Sequence, residues 1–215
     1  DPVLAARIRA SILLAGPLLA RARRVSIPPP GGDIIGRRRL DTHFLAFRGL
    51  GADISVHVNS VEITASQLKG GDIFLDEPSV TATENALMAA VLARGTTRLR
   101  NAATEPHVQD LCGLLNEMGA QISGVGTHIL RIEGVDELAG ATFRIESDHI
   151  ETGSFVGLAA VTGSVLRIQD APIRHLDSTL LGFQKLGVFC DTEGRDLIIH
   201  GDRDREMRRE AFGHI

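Results

Sequence analysis

The chain has only two cysteines in 215 residues, Cys112 and Cys190. They offer neither a disulfide framework nor a CxxC metal spacing. Cys112 falls in a helical pattern and Cys190 near the end of a strand-like stretch, so both read as small core residues in a reducing cytoplasm. Positive charge is not in excess either. A formal net charge of −4 argues against a general nucleic-acid binder, so basic clusters need local explanations. A bilayer-spanning run is also missing. The most apolar stretch, Ile12 to Ala20, is too short and contains Pro17. Arg7, Arg9 and Arg21 flank it without the layout of a signal peptide. The chain begins at Asp1 with no methionine, which carries the expectation that its natural beginning lies upstream. What is present is globular: 43% apolar and 23% charged residues, enough to bury a core in one large domain or two smaller ones.

The chain repeats itself. "LGA" at Leu50–Ala52, "MGA" at Met118–Ala120 and "LGV" at Leu186–Val188 place their glycines 68 residues apart in both steps. Each glycine follows an apolar-periodic segment and stands where a helix C-terminus needs a residue at positive φ. Strand-like stretches follow every turn, and the glycine-containing centres of the last two, "SGVGTH" and "TEGRD", suit hairpins. Ahead of each lies another helix: "RIRASILLAGPLLARA", "ATENALMAAVLARG" and "ETGSFVGLAAVTG". These are apolar on most faces and are expected to be buried. The unit reads helix-strand-helix-strand-strand, and its length suits several units around a shared axis better than a solenoid.

Several ordered motifs then carry a resemblance. "RIRASILLAGPLLAR", "PGGDIIGRRRLDTH", "ATENALMAAVLARGTTRLRNAATEPHVQDL", "LNEMGAQISGVGTHILRIEGV" and "DHIETGSFVGLAAVTG" resemble the enolpyruvyl transferase family, and within it the UDP-N-acetylglucosamine 1-carboxyvinyltransferases. The resemblance runs to about Gly201 and leaves "DRDREMRREAFGHI" as a solvated charged stretch. It implies an α/β (α+β) fold of βαβαββ-type units, an inside-out α/β barrel, of which this chain holds three of an expected six. Residues 1–147 would be two units of the first domain and residues 148–215 the first unit of the second. The family's Lys-Asn pair and the aspartate and arginines of its second domain have no counterpart here. The implied substrates are phosphoenolpyruvate and UDP-N-acetylglucosamine, with no cofactor, no metal, no nucleic acid and no membrane, in the cytoplasm. The 3-phosphoshikimate 1-carboxyvinyltransferases share the fold, and a non-catalytic nucleotide-binding remnant is the rival from another class.

Both substrates are multiply anionic, so the site calls for guanidinium groups, whose planar forks pair with phosphate and carboxylate oxygens. It also calls for a proton donor to the methylene carbon and a base for the hydroxyl. The resemblance puts Asp33 where the family usually has a loop cysteine assigned to proton donation or product release. A carboxyl donates at neutral pH only where desolvation and neighbouring anions favour its protonated form, as a closing loop would arrange. Without the motif, Asp33 is an ordinary turn residue after Gly31-Gly32. Arg9 and Arg38 fall on substrate-contacting positions, although Arg9 also reads as an exposed residue at a helix start. Arg39, where proline is common, opens the nucleotide-contacting run with Leu40, Asp41 and Thr42; Asp41 equally reads as a helix N-cap. Ser79 and Val80 match a stretch that meets the diphosphate at a helix N-terminus, unless Ser79 merely caps that helix. Glu77 stands where lysine is frequent, and Glu105, with Asp148 less strongly, matches acids near the interdomain cleft.

Overall fold

Proline sets the first departure from the expected pattern. A computed structural model describes residues 1–32, 36 and 39–200. A single α-helix through "RIRASILLAGPLLARA" is expected, but Arg9–Leu14 winds as a 3-10 turn and only Ala15–Ala22 is α-helical (α2), after a one-turn α1 at Pro2–Ala5. Pro17 lacks an N–H, and it sits in the first turn of α2, where no intrahelical acceptor is required. The remainder of the first repeat is β1 (Arg24–Ile27), α3 (Asp41–Gly49), β2 (Asp53–Val56) and β3 (Val61–Thr64). The second comprises β4 (Asp72–Phe74), α4 (Val80–Ala90), β5 (Thr96–Arg100), α5 (Pro106–Glu117), β6 (Gln121–Ser123) and β7 (Ile129–Glu133). The third has α6 (His149–Thr162), β8 (Leu166–Ile168), a 3-10 turn at Ile173–His175, α7 (Asp177–Lys185), β9 (Cys190–Glu193) and β10 (Asp196–Ile199).

The 68-residue period is a period of backbone geometry. Gly51, Gly119 and Gly187 have φ of +83°, +102° and +78°. Each glycine N–H bonds three residues back, and the residue after it bonds five back: Ala52 to Phe47, Ala120 to Leu115, Val188 to Phe183. These paired bonds define a Schellman motif and use carbonyls the helix end leaves over. The next strands pair alike in every repeat. The sheet orders β1-β3-β2, β5-β7-β6 and β8-β10-β9 are all antiparallel, so the last strand of each repeat lies between the strands that precede and follow α3, α5 or α7. A leading strand, β4, joins parallel to β5. Both glycine-centred connections form the expected hairpins, β6–β7 and β9–β10.

The chain divides into two compact units, Asp1–Phe143 and Arg144–Ile215. In the first, α2, α3 and α5 pack on α4, and Leu19, Phe47, Leu87, Leu99 and Ile132 are fully buried. Each such side chain contributes about 1.5–3 kcal/mol of burial free energy. Cys112 belongs to this core, and burial pushes its thiol pKa up to about 11. Cys190 is only half-buried, at the margin of the smaller core built on Val156, Ala159, Leu176, Leu197 and Ile199. Here the expectation of buried first helices fails for α6. Ile150, Phe155, Leu158 and Val161 are exposed, and α7 buries no residue fully. Within its unit α6 packs on α7, β8 and β10, which cover a single stripe of a helix that is apolar on most sides.

Candidate functional site

The starts of three elements come together in the first unit: the 3-10 turn at Arg9, α3 and α4. Arg9 opens the 3-10 turn ahead of α2, and its Nη2 donates to the main-chain oxygen of Arg39 at 3.2 Å. Arg39 forms an ion pair with Asp41, both side chains largely exposed. Leu40 takes the N-cap position of α3 and packs against the core, while Asp41 is the first helical residue. The N-cap role open to Asp41 is therefore not realised, and no side chain caps α3. Its charge still lies at the positive end of the helix dipole.

Thr42 carries the connection onward. It is 5% exposed, and its hydroxyl donates to Asp76 Oδ1 at 2.7 Å and contacts Glu77 Oε1 at 3.4 Å. The Asp76–Glu77 loop leads into α4, with the Ser79 N–H on the Glu77 carbonyl at 2.8 Å. Ser79 caps α4 through a long bond from the Ala82 N–H to its Oγ, 3.4 Å, and its carbonyl accepts from the Thr83 N–H. The capping alternative for Ser79 is thus present in the geometry. Beside it, the amides of Val80 and Thr81 have no intrahelical partner and mark an anion-accepting helix end.

Glu105 stands apart, at the N-cap of α5 with no capping hydrogen bond, and its buried Oε2 has no hydrogen-bond partner among the described residues. It acts across on Glu84 of α4. Burial first, and then the Glu105 charge, raise the Glu84 pKa, while His107 lowers it. Asp148 caps α6 instead, accepting from the Ile150 and Glu151 amides at 2.7 and 3.1 Å. Asp33 and Arg38 lie outside the described residues; the loop's stem is attached where the Gly31 N–H meets the Ala5 carbonyl at 3.3 Å. Among the described residues no cluster of three or more His, Cys, Asp or Glu side chains is placed to hold a metal, and no helix is long and apolar enough to cross a membrane.

Sequence reasoning passed over three groups in or behind this surface: His43, Asn85 and Glu84. His43 is 2% exposed and Asn85 wholly buried. Burial, and then the charge of Arg9, lower the His43 pKa to about 4. The signal was available: both occupy the buried stripes of their helices, beside Ala46 and Phe47 in α3 and Ala82 and Ala86 in α4.

The family model described as EPSP synthase (3-phosphoshikimate 1-carboxyvinyltransferase) matches residues 2–210. A UDP-N-acetylglucosamine 1-carboxyvinyltransferase of Bradyrhizobium diazoefficiens is 57% identical over 100% of this chain and 50% of its own length. One from Treponema denticola is 55% identical, over 99% of this chain and 50% of the relative. The chain thus spans about half the length of the curated relatives it matches. Among solved structures, the enolpyruvyl transferase NikO from Streptomyces tendae superposes with a TM-score of 0.78 at 22% identity, covering 94% of this chain and 49% of that one. The EPSP synthase of Acinetobacter baumannii gives a TM-score of 0.62 at 22% identity, covering 87% and 44%. These two show the fold. Because the family model matches residues 2–210, nearly the whole of this chain, the chain belongs to the EPSP synthase family of enolpyruvyl transferases.

Proposed function

We propose that the full-length protein transfers the enolpyruvyl group of phosphoenolpyruvate to the 3-hydroxyl of UDP-N-acetylglucosamine and releases phosphate, the first committed step of peptidoglycan synthesis. The observation that carries this reading is the junction of Arg9, the Arg39–Thr42 run and the α4 N-terminus through the Arg9–Arg39 and Thr42–Asp76 hydrogen bonds. It gathers a guanidinium and free helix-end amides, the groups that a sugar-nucleotide diphosphate calls for. Relatives at 45–57% identity carrying that enzyme's name support the choice of acceptor.

In the reaction the sugar hydroxyl gives its proton to a base as its oxygen bonds to C2 of phosphoenolpyruvate, and the C2–O bond to phosphate then breaks. The methylene carbon gains a proton on addition and loses one as phosphate leaves. We assign the donor role to Asp33 and the phosphate or carboxylate clamp to Arg38 and Arg9. Arg39, Leu40, Asp41 and Thr42 take the nucleotide, Ser79 and Val80 the diphosphate, and Glu105 is a further substrate-binding residue. Residues 1–147 would form two units of the first domain and residues 148–215 the first unit of the second, in a cytoplasmic enzyme. The isolated 215 residues are then expected not to turn over, since half of such a site would lie elsewhere.

Two observations keep rivals in play. The matched family model is described by the 3-phosphoshikimate enzyme, and Glu77 puts an acid beside the proposed diphosphate site. Phosphate release by the full-length protein, assayed with each acceptor, decides among them. Release with UDP-N-acetylglucosamine supports the proposal, and release with 3-phosphoshikimate alone supports the related enzyme. No release with either, alongside retained nucleotide binding, leaves a non-catalytic remnant.

A further inference from the structure

Behind the candidate site, three elements that bear its residues meet on one buried polar pair. The Gly16 N–H donates to Asn85 Oδ1 at 2.8 Å, which fixes the oxygen end of that amide. Its nitrogen, Nδ2, then donates to the Ile12 carbonyl at 3.0 Å and lies 2.9 Å from His43 Nδ1. An amide nitrogen only donates, so Nδ1 must accept and carries no proton. The neutral ring keeps its proton on Nε2, which donates to Thr81 Oγ1 at 3.2 Å. A second proton on the ring would point an N–H at another N–H, in a buried place beside Arg9. Each polar atom of the Asn85 amide and both ring nitrogens of His43 thus have a partner. The helices are close enough for this only because position 16 is glycine: a Cβ there would stand 2.5 Å from the Asn85 main-chain oxygen.

We propose that His43 and Asn85 are positioning residues for the nucleotide site. Asn85 holds the 3-10 turn that begins at Arg9 and the first turn of α2. His43 fixes α3 directly behind Asp41 and Thr42, and through Thr81 it fixes the first turn of α4 beside Val80. One hydrogen-bonded group therefore sets the spacing between the guanidinium, the nucleotide run and the helix-end amides. Neither residue touches the substrate; they act through the groups they hold. The inference rests on the proposed reading of this surface as a UDP-N-acetylglucosamine site.

The test is the affinity of the full-length protein for UDP-N-acetylglucosamine, measured by calorimetry at a temperature where circular dichroism shows each variant folded. His43→Leu leaves an Asn85 N–H without an acceptor, whereas His43→Asn offers an amide oxygen in place of Nδ1. The expected dissociation constant rises about 10-fold or more for His43→Leu and stays within about 1.5-fold of the parent for His43→Asn. Should His43→Leu not fold, Thr81→Val, which removes only the Nε2–H acceptor, carries the test with an expected rise of about three-fold. Unchanged affinity in folded His43→Leu, or in Thr81→Val standing in for it, makes the pair merely structural and overturns the proposal, as does an equal loss in His43→Asn. A parent protein that binds no UDP-N-acetylglucosamine overturns the functional reading itself, and this inference with it.

Discussion

Helices α4 and α6 are the first helices of their repeats, and both have a capping side chain at the N-terminus. Yet α4 buries seven of its 11 residues and α6 only four of 14. Local sequence does not account for this, since α6 is no less apolar along its length. Neighbours do: α2, α3 and α5 surround α4, while α6 has one helix and two strands of its own unit beside it. An apolar helix in a repeat protein states a capacity for burial, and the number of adjoining repeats decides how much of it is realised.

The largest test of that contrast is a pair of truncations. Leu87→Ala in α4 removes a side chain that is 0% exposed and is expected to cost about 2–5 kcal/mol. Leu158→Ala in α6 removes one that is 53% exposed and should cost less than about 0.5 kcal/mol. Urea titration of the two variants checks both. An equal cost would mean that the α6 face is covered in the folded protein.

The two units should also part company with pH. His43 titrates at about 4 when folded and at 6.5 in the unfolded chain. Below pH 6.5 the unfolded state takes up a proton that the folded state refuses, so stability is complete above that pH. It falls between pH 6.5 and 4, by about 3 kcal/mol, and is level below. Denaturation midpoints of the first unit, measured over this window, should lose that component in His43→Asn. A component that survives the substitution would assign the titration to another group.

The smallest difference concerns the caps. Asp148→Ala and Ser79→Ala should each cost about 1 kcal/mol. The Asp148 loss is expected to be the larger, because a charged carboxylate accepts two amides at 2.7 and 3.1 Å while Ser79 accepts one at 3.4 Å. Thermal unfolding of the two variants checks the order.

The features legible in the sequence were those set by local backbone chemistry. Gly51, Gly119 and Gly187 announced three helix ends because positive φ there favours glycine, and the hairpins around Gly124, Gly126 and Gly194 were legible for the same reason. The order in which strands pair was not legible, since nothing local to β3, β7 or β10 states that it lies in the middle. Pro17 was visible, but its effect on the turn before it depended on where α2 began. Of the candidate site, the Arg39–Thr42 run and Ser79–Val80 were singled out by motif, and the bonds joining them were not. His43 and Asn85 escaped because their meeting brings together residues 16, 43, 81 and 85, on three different elements. Asp41, which satisfied the pattern of a cap, turned instead to Arg39.

The bond from Arg9 to Arg39 ends on a main-chain oxygen. Every amino acid supplies that atom, so the contact does not depend on which residue occupies position 39. This position can therefore change identity over evolutionary time without cutting the tie between the first turn and the nucleotide run. An arginine standing where proline is customary is a substitution that such an anchor tolerates, and a protein engineer could vary the side chain there while leaving the frame of the site untouched.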